Sequence, residues 1–307
     1  MSEQATPDRP LRGVALISIA VLGFVCMDTL TKSAVATLPV LQILWARFTI
    51  HLITVSLALG VAGKRLPPLS RRPWLQAVRS LLLMTCTLTF TVALAYVPLA
   101  DATSINFLSP LLVLVLAGWW LKESISWRRW VAVGAGLVGV VIILRPGFGG
   151  THPAALLVLV TASLFAVYQV LTRVVARHDD ALTTIWHTGL AASIVTSVLV
   201  PFVWVTPSAW GMLRLLLIGT LGGLGHYLLI LAYAQAPASL LAPLSYTQLV
   251  WASLLGWLVF GDVPDLPTLL GGVVIAAGGM LSIAEGGRLA AAARRPQDEA
   301  GPKDRKG

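Results

Sequence analysis

Ten apolar runs of roughly 20 residues, separated only by short connections rich in charge, proline or glycine, limit what this 307-residue chain can fold into. They fall at about 13–32, 38–62, 74–96, 100–121, 127–145, 153–175, 181–205, 210–234, 237–260 and 266–284. As helices rising ~1.5 Å per residue, each is long enough to cross a hydrocarbon core ~30 Å thick. Only 11% of the residues are charged and 57% are hydrophobic, whereas a soluble domain is roughly 25% charged. A soluble globular fold is thereby excluded. So is a large extramembrane domain, because no stretch of mixed composition is long enough to form one. The expected fold class is an all-α integral membrane protein with ten transmembrane helices.

The net charge of +9 does not point to nucleic acid, because the cations sit in short clusters between apolar runs rather than on one solvated face. Arg9 and Arg12, Lys64 to Arg72, Lys122 to Arg129, Arg173 with Arg177, and the tail from Arg288 onward all fall on one side of a ten-helix arrangement. Only Lys32 and Arg145 fall on the other. The positive-inside bias therefore places both termini in the cytoplasm and predicts a multi-pass protein of the cell inner membrane. Arg9 and Arg12 before an apolar run resemble a signal peptide, but Asp28 and Lys32 interrupt the approach to the small-residue stretch 33–36, so an uncleaved first helix is expected. Trp74, Trp127, Trp130, Trp204 and Trp210 fall near helix ends, where indole rings suit the headgroup level. Cys26 and Cys86 lie inside apolar runs without CxxC or His-rich spacing and are assigned neither a disulfide nor a metal.

Laying residues 95–144 over 234–283 without a gap places Ala95 on Ala234, Pro98 on Pro237, Leu116 on Leu255, Glu123 on Asp262 and Gly139 on Gly278. An acid then ends the fourth helix of each half, and a glycine-rich closing helix follows. Five helices per half is an odd number, so the second half enters the membrane inverted relative to the first. The expected organisation is a cytoplasmic N-terminal tail over 1–12, a first repeat over 13–145, a second over 153–285 and a basic, disordered cytoplasmic tail over 286–307.

The chain here resembles the EamA-type family of the drug/metabolite transporter superfamily across residues 12–285. The resemblance is carried by Arg47-Phe48, the run 98–103 around Asp101, Leu108 to Leu111 followed by Lys122-Glu123, and Ala242-Pro243 through Gly261-Asp262. That family usually shows Gly-Glu at the end of each fourth helix, whereas this chain has Lys122-Glu123 and Gly261-Asp262. Arg79 to Leu82, Asp101-Ala102-Thr103 and Ile125 to Trp130 are similar to the branch of riboflavin and S-adenosylmethionine uptake transporters. The resemblance implies five-helix repeats and transport of a small organic metabolite.

Gly134-Ala135-Gly136-Leu137-Val138-Gly139 matches GxGxxG, but no strand precedes it and no acid follows at ribose distance. These glycines instead let helices approach closely, as do Gly219, Gly222, Gly223 and Gly225. Charge inside the hydrocarbon is more informative, since an ionised side chain there costs about 2.5–3.5 kcal/mol. Asp28 and Arg47 lie at depths that agree within about 5 Å. Either Arg47, with His51 one turn on, meets an anionic or electron-rich group of a substrate, or Asp28 and Arg47 neutralise each other and pin two helices. Arg79 and Arg214, near helix ends, are expected to snorkel. Glu123 and Asp262 read as caps or gate residues. Asn106, Tyr168, Gln169, His187, His226, Tyr246, Gln248 and Trp251 lie deeper and must face a cavity or one another. Tyr168, Tyr246 and Trp251 could offer stacking surfaces, although Tyr246 and Trp251, five positions apart, cannot share one helix face. Pro98, Pro110, Pro237 and Pro243 mark hinges or static kinks.

No HExxH, GxSxG, P-loop lysine or metal-ligand spacing appears, so no catalysis, cofactor or metal is expected. The leading expectation is a secondary transporter working by alternating access, with riboflavin uptake first and S-adenosylmethionine uptake next. Export of amino acids, drugs or other metabolites uses the same fold. A membrane-embedded enzyme and a non-transporting scaffold are the rival classes. The expected partners are a small-molecule substrate, the lipid bilayer and a possible second copy forming a homodimer.

Overall fold

A computed structural model describes residues 10–61, 63, 70–120, 125–145, 152–236 and 238–299. Its helices are α1 (Pro10–Val35), α2 (Val40–Val61), α3 (Pro73–Leu94), α4 (Leu99–Asn106), α5 (Ser109–Trp120), α6 (Trp127–Leu144), α7 (Ala155–Val175), α8 (Ala181–Leu199), α9 (Ala209–Tyr233), α10 (Ala238–Leu241), α11 (Thr247–Phe260) and α12 (Leu266–Glu299). Among the described residues there is no strand, and nine segments are long and apolar enough to cross a membrane. The chain is a multi-pass helical membrane protein.

Eight of the ten predicted helices begin within a few residues of their expected starts, and seven also end so once the 3-10 turn that follows α8 is included, because charge, proline and glycine mark their ends. The other two, the fourth of each half, are interrupted. The expected helix 100–121 breaks between Asn106 and Ser109, and 237–260 contains a 3-10 turn over Ala242–Tyr246. Proline is the physical reason: Pro110 and Pro243 supply no N–H to the carbonyl four residues earlier, and their rings crowd it. α12 runs on through Glu299, beyond the expected start of a disordered tail at 286, carried by the helix-favouring run Ala290–Ala293.

Successive helices alternate in direction, which gathers contacts at two ends of the bundle. The proximal end, where α1 begins, joins Gly13 to Ala236, Ser70 to Asp179 and Arg128 to Glu285. The distal end joins Lys32 to Asp262, Gln42 to Val205 and Arg145 to Asp265. Trp74, Trp127, Trp130, Trp204 and Trp210 are all exposed near helix ends, as expected of rings in a headgroup layer.

Packing pairs helices of the two halves: α1 with α9, α3 with α7, α2 with α8, and α6 with α12. The last crossing is made by small residues. A Cβ at Gly139 would stand 2.7 Å from the carbonyl oxygen of Gly271, and one at Gly278 would stand 2.8 Å from that of Ala132. Without side chains there, the two backbones meet directly. α9 closes on α2 in the same way, Gly219 facing the Ala46 carbonyl. The GxGxxG run is thus a helix seam: Gly136 and Gly139 pack against Leu111 and α12.

Candidate functional site

α1, α2 and α9 bring Asp28, Arg47, His51 and His226 together. Asp28 stands seven residues before the end of α1 and Arg47 seven after the start of α2, so both lie ~10 Å from the distal end. Asp28 is buried and is the opposite charge that Arg47 senses, yet the two do not reach ion-pair distance. Arg47 itself is partly accessible and, among the described residues, makes no hydrogen bond. A guanidinium carries five donors, so an Arg with none engaged is ready to receive acceptors from something else. His51, one turn deeper, is buried with Nε2 lacking a hydrogen-bond partner, while the Ile185 and Gly222 carbonyls lie beside its ring. Its ring meets His226 edge-on at 5.8 Å, and His226 meets Phe24 at 5.1 Å. Gly189 and Gly223 let α8 and α9 come this close to α2, and Gly222 turns toward Met27 of α1.

A second polar cluster lies at the proximal end, and Arg79 is its centre. Arg79 is 1% exposed, so it does not snorkel as its position near a helix end suggests. Its five N–H groups all find acceptors. Nε donates to Gln76 Oε1 at 3.2 Å, and Nη1 donates to Tyr168 Oη at 2.9 Å and Thr172 Oγ1 at 3.3 Å. Nη2 donates to the Thr184 carbonyl at 2.7 Å and to Thr188 Oγ1. Gln76 Nε2 then donates to Asp179 Oδ2 at 2.9 Å, relaying the guanidinium toward a carboxylate. Burial pushes the Asp179 carboxyl upward, but hydrogen bonds from Ser70, Gln76 and the Arg71 N–H outweigh it and hold the group below the usual carboxylate range. His187 belongs here as well: it accepts from the Ser70 N–H at Nε2 and its Nδ1 lies 2.8 Å from the Thr183 carbonyl.

The remaining predicted residues are dispersed. Tyr168 is taken up by Arg79 and stacks on Phe165 at 5.4 Å, while its neighbour Gln169 is exposed on the outer face of α7. Trp251 packs between two core clusters and lines a lateral groove with Ser18, Ile19, Leu22, Thr247 and Val250. Asn106 and Tyr246 sit at the two helix interruptions; Tyr246 meets Phe107 ring to ring. Asp262 stands 3.1 Å from Lys32 at the distal end, where Lys32 Nζ also donates to the Val97 carbonyl at 2.7 Å. Glu123 lies outside the described residues.

Sequence reasoning missed several polar ties at the distal end. Arg214 is 6% exposed and donates to the Ser33 carbonyl, Ser33 Oγ and Thr37 Oγ1 at 2.7, 3.0 and 2.9 Å, while its Nε is buried without a partner. Buried Asp101 accepts from Thr268 at 2.7 Å. Pairing of distant segments, which no local pattern encodes, decides these contacts.

The EamA-like transporter family matches residues 11–145 and 152–284. The chain is 26% identical to the S-adenosylmethionine uptake transporter of Rickettsia felis, over 86% of this chain and 90% of that one. It is 28% identical to the riboflavin transporter of Vibrio cholerae, over 87% and 91%. With the pseudopaline exporter of Pseudomonas aeruginosa it shares 30% identity, over 86% and 93%. A crystal structure with 20% identity has the same fold, with a TM-score of 0.66 over 90% of this chain and 98% of the other.

Proposed function

Because the chain belongs to the EamA-like transporter family, we propose that it carries a small polar metabolite past Arg47 by alternating access between two inverted five-helix halves. The chain is a transporter and not an enzyme, as its named relatives are. The observation that carries the site is Arg47: a cation within the hydrocarbon, beside Asp28 and His51, with no partner of its own among the described residues.

The inverted arrangement is supported by the α6–α12 crossing. Gly139 faces Gly271 and Ile275, and Gly278 faces Ala132 and Gly136. A shift of 139 residues turns the first set into the second. Reciprocal contacts of this kind are what a two-fold axis generates. The pairing runs antiparallel, so the axis crosses the helices and would lie in the membrane plane. Both termini are taken to be cytoplasmic in the inner membrane, on the strength of the positive-inside bias. The proximal end would then face the cytoplasm, closed by Arg79 and Asp179, and the distal end the opposite side, closed by Lys32–Asp262 and Arg145–Asp265.

Relatives named for riboflavin and S-adenosylmethionine make these the two candidate substrates for uptake. The site favours the second: S-adenosylmethionine carries both a carboxylate and cationic groups, which match Arg47 and Asp28. Riboflavin would leave both protein charges uncompensated. Export of an amino-acid-derived metabolite is the alternative direction.

The test is flux of labelled riboflavin and S-adenosylmethionine into proteoliposomes and out of preloaded ones. Arg47→Ala is expected to lower transport at least about tenfold while the protein still reaches the membrane, the loss of one charge-assisted contact. Normal flux in that variant would remove Arg47 from the site, and a non-transporting scaffold would show no saturable flux in the wild type.

A further inference from the structure

The two interrupted helices meet deep in the bundle, and the first of them leaves an acceptor without a donor. α4 runs eight residues inward from the distal end, about 12 Å, before it breaks, and the 3-10 turn stands at a comparable depth from the proximal end. Pro110 has no N–H for the carbonyl of Asn106, and Asn106 Oδ1 alongside is buried with no hydrogen-bond partner. An acceptor left bare in a dry interior costs about 1–3 kcal/mol, so its retention points to a donor that arrives from outside the chain.

The adjacent residue supplies an aromatic face. Phe107 and Tyr246 are separated by 139 residues, the same shift that relates the halves, and their rings meet with centroids 4.8 Å apart at 33°. Tyr246 Oη reaches across to Gly279 of α12, into space that a Cβ there would occupy. α1 links this pair to the charged site: Val25 belongs to the same buried cluster as Ile105 and Leu108, and Asp28 follows one turn later.

We propose that Phe107, Tyr246 and Asn106 form a clip for the planar heteroaromatic part of the substrate, which lies between the two rings and donates an edge N–H to Asn106 Oδ1. The inference rests on the transport reading above and divides the substrate between two subsites. Arg47 and Asp28 hold its polar head, and the clip holds its ring. The class it selects is a nucleobase-like or flavin-like heterocycle with an amide, imide or amino N–H on its edge. Phe107 belongs to the first half and Tyr246 to the second, so admitting a ring parts the halves by about one ring thickness, ~3.5 Å. Ring binding is thereby tied to the boundary that alternating access must move.

Binding to the purified full-length protein tests the clip, with riboflavin followed by quenching of its fluorescence and S-adenosylmethionine, adenosine, methionine and ribitol followed by calorimetry. Asn106→Leu, Phe107→Leu and Tyr246→Leu are each expected to weaken the ring-bearing probes about tenfold and to leave methionine and ribitol unchanged; Tyr246→Phe, which keeps the ring, should bind like the wild type. Riboflavin methylated at its imide nitrogen should lose as much affinity for the wild type as riboflavin loses for Asn106→Leu, a comparison that needs no variant to fold. Equal affinity for methylated and unmethylated riboflavin, or equal losses for ring-bearing and ring-free probes, overturns the proposal. If Arg47→Ala abolishes flux while the clip variants bind ring-bearing probes normally, the transport site stands and the clip falls. If the clip variants lose ring binding while Arg47→Ala transports normally, the clip stands and the Arg47 site falls.

Discussion

Arg79 and Arg47 both lie within helices that cross the hydrocarbon, and the protein surrounds them in opposite ways. Arg79 is sealed from solvent with all five donors satisfied by α3, α7 and α8. Arg47 remains accessible, senses Asp28 without pairing to it and donates to nothing among the described residues. A guanidinium dressed by neutral oxygens holds helices together, and removing it strands its acceptors. A bare one destabilises the fold it sits in and is retained for what it binds.

That contrast predicts opposite signs, and this is the largest effect expected. Arg79→Met should lower stability by about 2–4 kcal/mol, because Tyr168 Oη and Gln76 Oε1 lose the donors that Arg79 supplies. Arg47→Met should leave the unfolding temperature unchanged or raise it, since a charge held by no ion pair or hydrogen bond among the described residues gives way to an apolar chain of similar length, while transport is lost. Thermal unfolding in detergent beside flux in proteoliposomes measures both. A drop in stability for Arg47→Met as large as that for Arg79→Met would erase the distinction and make Arg47 a second staple.

Arg214 sharpens the comparison, because it is Arg79's counterpart at the distal end. It stands four residues, about one turn, before the position related to Arg79 by the 139-residue shift, and so shares its helix face. The acceptors are related as well: Thr172, which Arg79 reaches, and Ser33, which Arg214 reaches, are 139 residues apart. Yet Arg214 makes three bonds and keeps Nε bare. Arg214→Met should therefore cost less than Arg79→Met, about 1–2 kcal/mol. An equal or greater loss of unfolding free energy would mean that the number of satisfied donors does not rank these staples.

The sequence made the apolar runs legible because membrane crossing imposes one length and charge marks the connections. It made the repeat legible through a few matched positions, Pro98 with Pro237 and Gly139 with Gly278. Pro110 and Pro243 were visible, but whether a proline kinks a helix or breaks it depends on neighbours that the local pattern does not contain. Arg79 looked like a snorkelling cation because its position lies near a helix end; the acceptors that bury it come from residues about 90 to 110 positions away. Tyr168 and Gln169 read alike as deep polar residues. Adjacent positions on a helix point about 100° apart, so only one could turn inward, and Tyr168 did.

The smallest effect concerns the carboxylate at the far end of the Arg79 relay. Asp179 lies in the connection between α7 and α8, and its hydrogen bonds from Ser70, Gln76 and the Arg71 N–H hold its carboxyl below the ordinary range against the opposing pull of burial. A depressed native value means that the folded protein binds the proton less readily than the unfolded chain does. The stability this group contributes is then complete above the unfolded value of about 3.9 and drains away as pH falls through the lower native one. Unfolding followed from pH 7 down to pH 3 should show an acid-side loss that Asp179→Asn flattens, while Arg47→Met retains it in full. An acid limb of equal steepness in wild type and Asp179→Asn would mean that the relay through Gln76 contributes nothing to closing the proximal end, and Arg79 would then hold α3 to α7 and α8 without help from a counter-charge.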